Sequence, residues 1–233
     1  MKTMKSNLVF ALAAVLALSP LMPVSAADKE KKEDAATTEA TDQPTPEQLK
    51  ARKAKKPSYV KLVEAKAVAE KAGLPLIVAL LPDGNPAVQF LKQKIINRKE
   101  FLKDFAAQNC VLCFVKIKPD PKTPKKIETR GMKEPELKFL ENFVVNEHMK
   151  KKAEQQKKDE PKYTDLACYP AVICMDSQCQ KELFRFATYD KEGGFGVWLS
   201  QVVDNFRTAG IEPKISPLVN KIIENPDDPK KWK

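Results

Sequence analysis

The chain has one histidine, seven glycines and no cysteine between Lys56 and Asn109, and each shortage excludes something. His148 has no Cys or His at ligand spacing, so neither an imidazole metal site nor a Cys–His nucleophile pair is indicated. It reads as a solvated helix position. The one glycine cluster, Gly193-Gly194-x-Gly196, precedes a helix and forms a hinge, not a phosphate cradle. With no cluster of metal ligands either, no cofactor is expected. No apolar run after Leu21 approaches the ~20 residues that cross a bilayer. Basic side chains outnumber acidic ones, 41 to 31. Arginine is scarce and the lysines are scattered among acids, which argues against a nucleic-acid partner.

What is present begins with an address. Lys2 and Lys5 precede an apolar stretch from Leu8 to Leu21, and Ser25, Ala26 and Ala27 are small. That order describes a secretory signal peptide over residues 1–26, cleaved after Ala26. Losing Lys2 and Lys5 leaves 39 bases against 31 acids, a net of +8. The expected location is periplasmic or secreted, with no stable membrane span after cleavage. Such a compartment permits disulfides among the five cysteines, and an odd count leaves one thiol free or paired with another chain.

Residues 27–57 hold Lys, Glu, Asp, Thr, Ala and Pro with hardly a large apolar side chain, so a disordered charged linker is expected. Gln48 to Lys56 is at most a frayed basic helix. A globular domain should span 58–208. Val60, Val63, Ala67, Val68 and Ala72 recur at helical spacing before Gly73. Leu74 to Leu81 reads as a buried strand, Pro82 to Pro86 as a turn, and Val88, Leu91 and Ile95 as the inner side of a helix. Asn97 is placed to cap the next helix, with Phe101, Leu102 and Phe105 inward. Cys110 to Ile117 is a second buried strand. An insertion over 118–164 opens with three prolines, offers one helix around Leu137, Leu140 and Val144, and trails into the charged run Lys150 to Glu160. Ala171 to Met175 and Leu183 to Ala187 form a closing hairpin, followed by a helix through Val197, Trp198, Val202 and Phe206. The tail 209–233 contains a short helix, Pro217 to Glu224, and then a polar end. This order predicts an α/β fold with a mixed sheet flanked by helices.

With Tyr169-Pro170 opening the third strand and Ile173-Cys174-Met175-Asp176 leading into the last hairpin, the segment Tyr59 to Phe206 resembles the thioredoxin-like superfamily. It is similar to exported members that carry an extended loop after the second strand. The resemblance implies a helical insertion before the strand headed by a cis proline at Pro170. Proline suits that place because only an X-Pro bond takes the cis form cheaply. Redox members carry Trp-Cys-x-x-Cys where the first strand meets its helix, because a helix N-terminus stabilises a thiolate. Matching Leu91 and Glu100-Phe101 sets Gly84 at the tryptophan and Asn85 and Val88 at the two cysteines. Neither an amide nor an isopropyl group attacks a disulfide. No one-residue slip changes this, since no cysteine lies nearby.

Cys110-Val111-Leu112-Cys113 has redox spacing but falls in a strand, where residues three apart point to opposite faces and stand about 10 Å apart. Inert packing is the expected role. If Asp176 and Ser177 form a two-residue turn, Cys174 faces Cys179 and the pair can be bridged; a longer loop loses that geometry. Cys168, two residues before Pro170, is a possible free thiol near the family's active face.

The expected function is a redox-inactive binding or structural module for a protein or extended peptide in the cell envelope. Asp83, Gly84, Asn85, Val88, Tyr169 and Pro170 form the candidate surface, with Phe139 and Phe143 on the insertion helix as a second candidate or simply core. One alternative is a thiol-disulfide exchanger or thiol sensor using Cys168 or Cys110 and Cys113. Another is attraction of dispersed lysines to anionic envelope polymers.

Overall fold

A computed structural model describes residues 43–186 and 194–232. The expected leader over 1–26, the linker up to residue 42, Ala187 and Gly193 lie outside the described residues.

The first described element is α1, Pro46–Ala54, inside the stretch expected to be disordered. That expectation is corrected here. Thr45 and Gln48 form a reciprocal capping box and Pro46 occupies the first turn. The basic side chains that argued for solvation do bonding work instead. Arg52 Nε donates to the Ala72 carbonyl at 3.0 Å. Lys55 Nζ donates to Ala106 O and Cys110 O at 3.0 and 2.7 Å. Ala72 O lies at the end of a helix, where the last carbonyls lack helical donors, whereas Ala106 O also accepts from Cys110 N at 3.2 Å. Burial lowers the Lys55 pKa, and Arg52 adds to that while Cys110 opposes it.

Helix α2, Leu62–Ala72, stops at Gly73, whose φ of +58° suits a residue without a Cβ. Strand β1, Leu76–Pro82, is buried along its whole length. It pairs in parallel with β2, Val111–Ile117, and antiparallel with β3, Ala171–Met175. β3 pairs antiparallel with β4, Glu182–Arg185, giving the sheet order β2-β1-β3-β4. Between β1 and β2 run α3, Pro86–Leu91, a π-turn over Lys92–Ile96, α4, Lys99–Phe101, a second π-turn over Leu102–Ala106, and α5, Ala107–Asn109. Asn97 closes the first π-turn and does not cap the next helix, whose N-cap is Arg98. The insertion holds two helices, α6, Glu134–Phe143, and α7, Glu147–Gln155, where one was expected. Asn146 restarts the helix by accepting from Met149 N. α8, Gly194–Thr208, and α9, Pro217–Glu224, follow the sheet.

Strand alternation divides the core. Leu76, Val78 and Leu80 face the alanines of α2 and the insertion residues Phe139 and Leu140. Ile77, Ala79 and Leu81 face Phe101, Phe105 and the α8 residues Trp198, Val202 and Phe206. The architecture is α/β, with a four-stranded mixed sheet flanked by helices, and is compatible with a thioredoxin-like fold. The tail contains the expected short helix and is anchored on both sides of it. Asn109 holds it by exchanging bonds with the Lys214 backbone at 2.8 and 2.7 Å, Val219 and Ile222 are fully buried, and Trp232 packs on Phe195. Among the described residues no helix is long and apolar enough to cross a membrane.

Candidate functional site

β1 ends in Pro82, and the chain turns through Asp83 and Gly84, whose φ is +78°. Asn85 is the N-cap of α3, its Oδ1 accepting from Ala87 N at 2.9 Å, with Pro86 in the first turn. At the facing strand the Tyr169–Pro170 bond is cis. The two segments meet: Ala87 and Pro170 line one apolar cavity of about 110 Å³.

The cavity follows from a size step in the sheet. Ala79 is paired with Phe114 on one side and Val172 on the other, and all three border the space. A methyl between two larger groups leaves a hollow. Leu91 and Phe186 narrow its sides. Trp198 forms the far wall, edge-on to Phe101 at 5.1 Å and stacked on Phe186 at 5.6 Å. Phe114, Pro170, Val172 and Phe186 are half-exposed, so the rim is apolar as well as the interior.

Of the six residues expected at this surface, Pro170 borders the cavity, while Asp83, Gly84 and Asn85 stand on the turn outside its lining. Val88 is buried under α3 and offers no side chain to a partner. Tyr169 is buried too. Its hydroxyl donates to Tyr163 O at 2.7 Å, and burial raises its pKa. Both are corrected from contact residues to supports. Ala87 belongs to the expected turn Asp83 to Val88, whereas Leu91, Phe114, Val172, Phe186 and Trp198 lie outside the expected surface. Their one signal in the sequence was that lone alanine inside an otherwise large apolar strand.

No cysteine lines the cavity. Cys110 and Cys113 are fully buried, Cys110 among the α8-side residues and Cys113 on the insertion side. Burial pushes both thiols up to about 12. Cys168 is 6% exposed, its Sγ lies 3.3 Å from Lys162 O, and burial raises it to about 11. Of the two hairpins open to Cys174 and Cys179, the structure has the longer loop, which does not bring them together. The hairpin loop runs past two residues, with Asp176 N donating to Lys181 O at 2.9 Å, so Cys174 lies opposite Phe184. Cys174 is in the α8-side core, whereas Cys179, at φ +56°, packs against the other side. All five thiols are free. Cys179, raised to about 11 by burial, is the one that is only half-buried.

His148 is exposed on α7. Among the described residues no group of three His, Cys, Asp or Glu side chains is placed to hold a metal. Phe139 is buried and Phe143 packs beside it at 5.3 Å, so the insertion aromatics serve chiefly the core.

Family models yield no match to the chain, and no curated protein is similar to it. Among solved structures, the chain is similar to a DsbH oxidoreductase at 15% identity, over 64% of this chain and 84% of that one, with a TM-score of 0.41.

Proposed function

We propose that the chain is an exported thioredoxin-like module that binds an extended peptide segment of a protein partner and carries out no thiol chemistry at that site. The observation that carries the reading is the apolar cavity bordered by Ala87 and Pro170. It has the small volume and half-exposed apolar rim that suit one large side chain of a peptide. An extended peptide running past Pro170 would supply its main chain for strand-like pairing and one side chain for the hollow. Asn85 and Val88 stand where redox relatives have thiols. The alternative of exchange through Cys168 or the Cys110 and Cys113 pair is disfavoured by burial, which keeps each thiol protonated at neutral pH. Export rests on the leader over residues 1–26 and assigns the work to the periplasm or the outside of the cell.

The test is selection of a random peptide library on the immobilised chain under reducing conditions. Selected peptides should carry a large apolar residue at one position and lose at least tenfold in affinity for Ala87→Trp, which blocks the rim. Peptides indifferent to Ala87→Trp would sink the site. Reduction of a protein disulfide by the chain, abolished by Cys168→Ser, would replace the binding module with an exchanger.

A further inference from the structure

The wall of the cavity is supported from behind by a distant part of the chain. Trp198 is stacked on Phe195 at 6.2 Å, one turn of α8 earlier. Phe195 in turn meets the Trp232 ring edge-on at 6.1 Å. The Arg98 guanidinium lies over both, 4.2 Å from the Phe195 centroid and 5.8 Å from that of Trp232, and is held by Glu100 at 3.2 Å. The Trp232 indole N–H donates to Asn225 O at 2.8 Å, which fixes the ring against its own segment. An aromatic row therefore runs from Trp232 through Phe195 to Trp198, which borders the empty volume.

Segment 225–232 also lies unusually close to α8. A Cβ placed on Gly196 would collide with the Pro226 carbonyl and stand 2.7 Å from the Trp232 ring. The glycine is required by this approach, since α8 itself gains nothing from one there.

We propose that residues 225–232 form a strap whose docking sets the position of Trp198 and holds the cavity open, with Trp232, Arg98 and Gly196 as positioning residues. A large ring bordering an apolar cavity gains dispersion contacts with the opposite wall by moving into it. The strap opposes that movement by holding Phe195 and the first turn of α8. Occupancy of the cavity and docking of the strap are then coupled, and the coupling is reciprocal. The inference goes beyond the peptide reading and does not depend on it.

The experiment uses benzene as the probe, because a dry apolar cavity of comparable size takes it up. Binding is followed by the Trp198 indole N–H resonance of the full chain. The unaltered chain should bind benzene. Trp232→Ala should weaken binding at least tenfold, and Trp232→Phe, which keeps a ring against Phe195, should stay within about threefold of the original. Gly196→Ala should weaken it as Trp232→Ala does. If either variant fails to fold, the unaltered chain decides: saturating benzene should slow amide exchange at Asp228, Lys230 and Lys231. Absence of benzene binding, unchanged affinity in folded Trp232→Ala, or amide exchange in 225–232 indifferent to benzene would each overturn the strap. Because no peptide is involved, failure of the peptide selection leaves this result standing; unchanged benzene affinity in Trp232→Ala overturns the strap alone, whereas absence of benzene binding removes the cavity on which both readings rest.

Discussion

The two faces of the sheet are built by different means. The insertion side is packed with short side chains: Ala65, Ala69 and Ala72 of α2 are fully buried and let the helix lie close against Leu76 and Val78. The α8 side is filled with rings, Phe101, Phe105, Trp198 and Phe206, set edge-on or stacked at 5.1 to 6.1 Å. Small residues let α2 lie close to the sheet, and the hollow on this side opens between α2 and α6, beside Leu62, Phe139 and Phe143, where charged side chains also line it. Planar rings held apart by one another leave a gap wherever a short residue sits beneath them, as at Ala79. The binding candidate is on the aromatic face because there the hollow is lined by apolar side chains and sits against Pro170, whereas the insertion-side hollow is lined in part by Lys66, Glu134 and Lys138.

Four measurements would sharpen or break that contrast. The largest effect is expected for Leu140→Ala on the insertion side, a loss of about 2–5 kcal/mol in denaturant unfolding. Leu91→Ala should cost only about 1 kcal/mol, since Leu91 is half-exposed and already borders empty volume. Equal costs would break the comparison. Next, Ala65→Leu should destabilise by about 1–3 kcal/mol through overpacking. Ala79→Val, adding methyls into the hollow, should be neutral or stabilising by up to about 1 kcal/mol while abolishing benzene uptake. A destabilising Ala79→Val that still takes up benzene would place the hollow elsewhere.

A separate effect concerns pH. Cys110 and Cys113, on opposite faces, are each raised from 9.0 to about 12. The folded chain holds these protons more tightly than the unfolded chain. Their contribution is therefore complete below about pH 9 and is lost as pH rises toward 12. The thermal midpoint should fall across that window, and Cys110→Ala and Cys113→Ala should flatten the fall to similar degrees. A marked inequality would mean that one face admits water at β2. Finally, neither thiol should label before global unfolding, whereas half-buried Cys179 should label first. Early labelling of Cys113 would show that the insertion side opens by itself.

Local pattern made much of this legible. Continuous apolar runs marked β1 and β2, Gly73 ended α2, and the strand reading of Cys110 to Ile117 sends Cys110 and Cys113 into different halves of the core. α1 is hard to read because Arg52 and Lys55 look solvated by composition, and the carbonyls they meet, Ala72 of α2 and Ala106 and Cys110 on either side of α5, are remote in sequence. Their capping signal, Thr45 with Gln48, was present in the sequence. Whether Cys174 faces Cys179 depends on the hairpin's loop length, which local residues leave open and the loop held by Asp176 and Lys181 decides.

The sequence by itself determined the alternation of strands and helices, the absence of thiols at the turn before α3, and which residues of each strand point the same way. These depend on backbone periodicity and residue chemistry over a few positions. The tertiary structure alone decided that Ala79 lies between Phe114 and Val172, that Asn109 clamps Lys214, and that Trp232 supports the ring beside the cavity. Each joins residues remote in sequence, and the spaces and contacts between such residues exist only once whole elements have packed.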